Sequence, residues 1–220
     1  MEFVLFAAAY PEKETRMIAA APFTFEEQGH IYRVNGVTLP SVTQVLSMIG
    51  LDDYAGVPFR NLERARQIGN AVHQACEFID DESLDSDSVD PLISGYVEAY
   101  IRFRMENCFN PEKIEHRAIG ESRSLRYGMC VDRIGYFGEE LDACIVDLKT
   151  AAKPSPAWPI QTAAYAHGLG NFDDYRRMVV HLAKDGSYKI HRYEQRRDLN
   201  LWNSALEIAH YRIENGAKIR

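Results

Sequence analysis

A single α/β domain, with a central mixed sheet and helices on its faces, is the fold class that this 220-residue sequence predicts. Three observations point there. Helical spacing of apolar residues fills most of 59 to 108, strand-like runs follow from 114 to 150, and a helix, a hairpin and a last helix close the chain. A hydrophobic fraction of 46% with 26% charged residues is ordinary for a globular protein. The length suits one well-buried core and gives no reason for a second.

The elements are legible in order. Met1 to Tyr10 is apolar but carries Glu2, and Pro11, Glu12, Lys13 and Glu14 follow where a secretory cleavage site would stand. Residues 1–22 therefore read as an N-terminal extension, with Met17 as an alternative start, and 23–220 as the domain. In GHIYRVNGVTLP, residues 29 to 40, Asn35-Gly36 marks the turn of a hairpin. Ser41 is placed to cap a short helix through Met48, ended by Gly50. Leu62, Ala65, Ile68, Val72, Cys76 and Ile79 recur at three to four residues, which predicts a helix over 59–79 despite Gly69. A second helix is expected over 89–108 and strands over 114–120, 127–137 and 143–150, with Gly138-Glu139-Glu140 as a turn. Pro154, Pro156 and Pro159 break the chain, and Pro159 suits the first turn of a helix to Leu169. A hairpin over 178–194 turns at Asp185-Gly186, and Asp198 is expected to cap a final helix ending near Gly216.

Composition narrows the function classes. No apolar run approaches the roughly 18 to 20 residues that span a bilayer, so no membrane partner is expected. Cys76, Cys108, Cys130 and Cys144 contain no CxxC pair, which argues against a zinc ribbon or an iron–sulfur cluster and fits free thiols in a reducing cytoplasm. The net charge is −7, and residues 80 to 90, DDESLDSDSVD, hold six acids and no base, leaving the rest of the chain at −1. That run reads as a solvated loop.

Charged residues inside an apolar strand carry the chemical signal, because an unpaired buried charge costs several kcal/mol. In ACIVDLKT the period of two puts Asp147 and Lys149 on one face. Asp132 lies inside YGMCVDRIGYF, one short turn upstream, so antiparallel pairing brings it beside Asp147. Two close carboxylates repel unless a cation lies between them, and oxygen ligands favour magnesium or manganese. Such an ion polarises a phosphate oxygen and lowers the pKa of bound water, while Lys149 orients or helps deprotonate that water. A buried Asp147–Lys149 pair that only stabilises the sheet fits the same two residues. His73 and Glu77 share one helical face, as do Gln161 and Tyr165. His73 offers a nitrogen ligand or a structural hydrogen bond. Glu77 and Glu115 are acids of uncertain place, either supporting the ligands, binding a second ion, or solvated.

The order GxxxH (Gly69, His73), GxxxD (Gly128, Asp132), DxK (Asp147, Lys149) and QxxxY (Gln161, Tyr165) resembles the RecB-like branch of the PD-(D/E)XK nucleases. LPSVTQVL, residues 39 to 46, is similar to the PSVT segment of mitochondrial genome maintenance exonucleases and their phage relatives. The resemblance implies a restriction-endonuclease-like core and hydrolysis of DNA from its ends with one or two Mg²⁺ or Mn²⁺ ions. His73, Asp132, Asp147 and the Leu148 carbonyl would bind metal, Lys149 would be the catalytic lysine, and Gln161 and Tyr165 would line the DNA path. It also implies a stand-alone enzyme, working alone, as a homo-oligomer or beside a phage recombination partner. An endonuclease and a silent DNA-binding module share the same core. Arg60, Arg64, Arg66, Arg117, Arg123, Arg126 and Lys153 are candidate phosphate contacts, and Trp158 is either a base-stacking ring or a core anchor.

Overall fold

Asn35 and Gly36 both take positive φ, which permits the tight turn between β2 (Ile31–Val34) and β3 (Val37–Leu39). In this computed structural model, which describes residues 22–51, 57–138 and 142–219, a further strand, β1 (Phe23–Glu26), pairs antiparallel with β2. That strand was not anticipated from the sequence. Residues 1–21 of the expected 1–22 extension, and Glu139-Glu140 of the expected turn, lie outside the described residues.

Ser41 caps α1 (Val42–Met48) in a reciprocal capping box with Gln44. The helix α2 (Phe59–Asp80) has no side-chain cap and is followed by an exposed acidic loop. α3 (Ser94–Asn107) starts later than its periodicity suggests, because Asp90 and Pro91 open a turn in which the Asp90 carboxylate accepts from the Leu92 amide at 2.8 Å.

The main sheet has the order β4 (Phe109–Ser122), β5 (Leu125–Phe137), β6 (Ala143–Lys149), β7 (Tyr175–Leu182), β8 (Tyr188–Tyr193). It is mixed: β6 and β7 are parallel and the other neighbours antiparallel. The parallel step needs a crossover, which α4 (Ala157–Gly168) supplies. The chain ends in α5 (Arg197–Glu214), whose N-cap is Arg196. Asp198 is thus not the cap; it lies in the first turn and accepts from the buried Arg177 guanidinium at 3.0 Å. Its carboxylate serves a partner across the core instead of the helix end.

Two apolar cores flank the sheet. On one face α1, α4 and α5 bury Val45, Leu46, Ile145, Ala163 and Trp202. On the other, α2 and α3 bury Val72, Cys76, Tyr100, Phe103, Val146 and Leu148. Strand alternation explains the division, since Ile145 and Val146 are neighbours in β6 facing opposite ways. The α/β architecture with a five-stranded mixed sheet between helices is therefore observed. Among the described residues no helix is long and apolar enough to cross a membrane.

Candidate functional site

The β5–β6 ladder runs from Gly135–Cys144 to Arg133–Val146 and stops where Asp132 would face Asp147. There the Asp132 carboxylate replaces a backbone acceptor, taking the Leu148 amide at 2.7 Å. On the other side of β5, pairing with β4 skips Glu115, whose φ of 45° lies in the left-handed region. A non-glycine residue held there marks a constrained position. The Glu115 carboxylate thereby comes to the same end of the site as Asp132.

His73 reaches this point from α2. Its Nε2 donates to the Leu148 carbonyl at 3.1 Å, and its Nδ1 faces Glu115 Oε1 and Asp132 Oδ2, each at 3.7 Å. Ligating atoms of His73, Glu115 and Asp132 all lie within 4.8 Å of one another. One imidazole nitrogen and two carboxylate oxygens at such separations suit a divalent cation with bonds of about 2.0 to 2.2 Å. The electrostatics agree. Burial pulls the His73 imidazole down, but Asp132 and Glu115 outweigh it and hold its pKa above the ordinary value. Burial pushes Glu115 up, while hydrogen bonding and charge from His73, with Cys130 and Arg133, bring it below the usual range.

Asp147 and Lys149 stand beside this cluster. Lys149 Nζ lies 2.8 Å from Asp147 Oδ2. Burial pushes the Asp147 carboxyl up to about 6, against the pull of Lys149. Gln161 Nε2 donates both to Asp147 Oδ1 at 3.2 Å and to the Tyr165 hydroxyl at 2.8 Å. Both side chains of the QxxxY pair are buried: Gln161 holds Asp147, and Tyr165 in turn holds Gln161. Glu77, one turn beyond His73, is partly buried and raised by burial and by Glu115.

Gly128 of the GxxxD motif has a local reason, whereas a Cβ on Gly69 would meet only Thr150 Oγ1 at an ordinary 3.6 Å. A Cβ on Gly128 would lie 2.2 Å from the Tyr32 ring, so the small sheet can pack on β5 only over a glycine. The Gly128 amide also donates to the Pro40 carbonyl at 2.9 Å, which docks the PSVT segment four residues before Asp132.

The candidate phosphate contacts have differing surroundings. Arg123 and Arg126 flank the β4–β5 turn, roughly 20 Å along the strand from Asp132, and pair with Glu207 and Glu121. Arg66 pairs with Glu63, and Arg117 lies over the Phe25 ring. Arg60, Arg64 and Lys153 are exposed. Trp158 is buried, edge-on to His181 and His191, and is a core anchor, not a stacking platform.

Sequence reasoning missed one cluster entirely. Asp80, read as the first acid of the solvated loop, is the last residue of α2, and its side chain is fully buried. It accepts from Tyr100 at 2.8 Å and from Arg133, and forms an ion pair with Arg104 at 3.0 Å. Arg133 also donates to Glu115 at 3.2 Å and to its neighbour's carbonyl, Asp132 O, at 2.7 Å. The overlooked signal was a second charge, Arg133, inside the apolar strand that holds Asp132. The free thiol Cys130 also touches the site, donating to Glu115 at 3.3 Å.

No protein-family model and no curated protein matches the chain. Among solved structures, one described as "Crystal structure of SSO0001" aligns with 82% of this chain and 77% of that one, at 11% identity and a TM-score of 0.46.

Proposed function

We propose that this chain is a Mg²⁺- or Mn²⁺-dependent DNA nuclease with a restriction-endonuclease-like core, hydrolysing phosphodiesters from DNA ends. The observation that carries the reading is the convergence of His73, Glu115 and Asp132 beside the Asp147–Lys149 pair. A divalent ion bound there supplies polarisation of a phosphate oxygen and a water of lowered pKa. The four sequence motifs, in their order, direct that chemistry to nucleic acid, and the free thiols accord with a reducing cytoplasm.

The chain's own residues divide the work. His73 donates through Nε2 to Leu148, which fixes the ring and leaves Nδ1 facing the two acids. The resemblance counts Asp147 and the Leu148 carbonyl as further ligands. The ligand group closest together is instead completed by Glu115, while Asp147 is held by Gln161 and Lys149. Lys149 is partly exposed, so its ammonium reaches the side from which a phosphodiester enters, where it orients the attacking water and offsets charge on the pentavalent phosphorus.

End-labelled linear DNA and covalently closed circles, each with Mg²⁺ and with EDTA, test the proposal. Linear DNA is expected to shorten progressively while circles persist, and EDTA to stop the reaction. Discrete cuts in the closed circle would replace the exonuclease with an endonuclease. Full cleavage in EDTA would remove the metal from the account.

A further inference from the structure

The two halves of the sheet's active end carry opposite charge. Acids occupy β4, β5 and α2. Beyond β6 the parallel register sets Lys149 beside His181, and the antiparallel register of β8 sets His181 beside Lys189. Directly paired positions share a face, so three basic side chains form one row. Strands are about 4.8 Å apart, which gives the row a span of roughly 10 Å from the sheet centre to its edge.

The row is built. His181 Nε2 donates to the Ala151 carbonyl in the loop after β6. Trp158 packs edge-on against His181 at 5.3 Å and His191 at 5.5 Å, so a buried indole supports the imidazoles from beneath. Burial, then Lys189, then His181 hold His191 below its ordinary pKa, which accords with these groups facing one another. Lys189 is exposed on the edge strand, and exposed Lys153 stands in the loop that leads to the N-terminus of α4.

We infer that the Lys149–His181–Lys189 row is the track of a single nucleic-acid strand, which enters over the β8 edge and delivers a phosphodiester to the acidic half. The inference rests on the nuclease reading for its direction of travel, and on charge complementarity for its occupant. A single row of basic side chains and imidazole N–H donors, two strand spacings long and continuous with Lys149, matches one phosphate backbone rather than two. Phosphate contacts of this kind position a strand without reading its sequence.

Anisotropy of a fluorescein-labelled dT20 oligonucleotide, titrated with the intact chain in EDTA at several salt concentrations, tests the track apart from cleavage. Lys189→Glu is expected to weaken binding about tenfold or more and to lower the salt slope by about one. Lys113→Glu, the same charge change at an exposed position on β4, is expected to alter it less than about twofold. Melts of both variants check that they are folded. Equal loss in the two variants, or none in Lys189→Glu, overturns the track, as does tighter binding of a blunt duplex of the same length. Cleavage of the same oligonucleotide by the wild type with Mn²⁺ is read separately. Lys189-dependent binding without cleavage keeps the track and removes the nuclease; cleavage without Lys189 dependence does the reverse.

Discussion

Two ionic clusters lie on the same two elements and differ in balance. His73 and Asp80 are seven residues apart on one face of α2, and Asp132 and Arg133 are adjacent in β5. Around Asp80 no acid is in excess: one carboxylate meets two guanidinium groups and a tyrosine hydroxyl. Around His73 the acids are in excess. Glu115, Asp132 and Asp147, with Glu77 nearby, face one imidazole, one ammonium and the Arg133 guanidinium, which Asp80 shares. A cluster in which every acid is paired is complete as folded, whereas an acid surplus favours a cation. Arg133 joins the two by touching both Asp80 and Glu115, so the scaffold cluster also orients a residue of the site.

Opposite responses to the loss of one charge sharpen that contrast. Asp80→Asn leaves Arg133 short of a buried counter-charge and is expected to cost about 3 to 5 kcal/mol of folding stability, measured by denaturant titration. Lys149→Ala is expected to lower DNA cleavage a hundredfold or more, about 3 kcal/mol in the barrier. Without the ammonium, burial raises the Asp147 carboxyl further above about 6. A raised carboxyl favours the protonated folded state, so the stability of Lys149→Ala is retained at low pH and lost as pH rises through that value. If the pair were only structural, cleavage by the variant would fall no further than its folded fraction. Asp132→Asn removes one of the crowded acids while its amide oxygen can still accept from Leu148, so in EDTA the variant is expected to gain about 1 kcal/mol. With Mg²⁺ the order reverses, because the parent gains more from binding the ion. Melts of Asp132→Asn in the two conditions read both signs.

The smallest expected effect lies outside both clusters. Burial holds His167, on α4, below its ordinary value of 6.5. The unfolded chain therefore takes up this proton first, and the His167 share of stability, full above 6.5, is lost as pH falls through the folded value. In His167→Gln the decline in melting temperature from about pH 7.5 to about pH 5.5 should be shallower.

The sequence revealed features that depend on periodicity or on an anomaly within it. Asp132, Asp147 and Lys149 stood out as charges inside apolar strands, and register alone set the two aspartates at opposed positions. Glu115 was harder to place, because its strand alternates irregularly and its role depends on a positive φ that skips one ladder pair. Asp80 was hidden by its neighbours: five exposed acids follow it, and nothing local distinguishes the one that α3 and β5 bury. Gln161 and Tyr165 were found by spacing, but spacing says which residues share a helix face, not whether that face meets solvent or Asp147. The Lys149–His181–Lys189 row could not be seen in advance, since it requires both the parallel and the antiparallel register.

We propose above all that His73, Glu115 and Asp132 hold a divalent ion on which DNA cleavage depends. Mn²⁺ binding, followed by the loss of its free electron paramagnetic resonance signal, tests it most directly when DNA cleavage is measured on the same preparations of wild type and Glu115→Gln. The wild type should bind Mn²⁺, and Glu115→Gln should bind it about tenfold or more weakly with a parallel loss of cleavage at limiting metal. A Glu115→Gln chain that binds Mn²⁺ and cuts as its parent does, or a wild type that cuts DNA without binding the ion, would contradict the account.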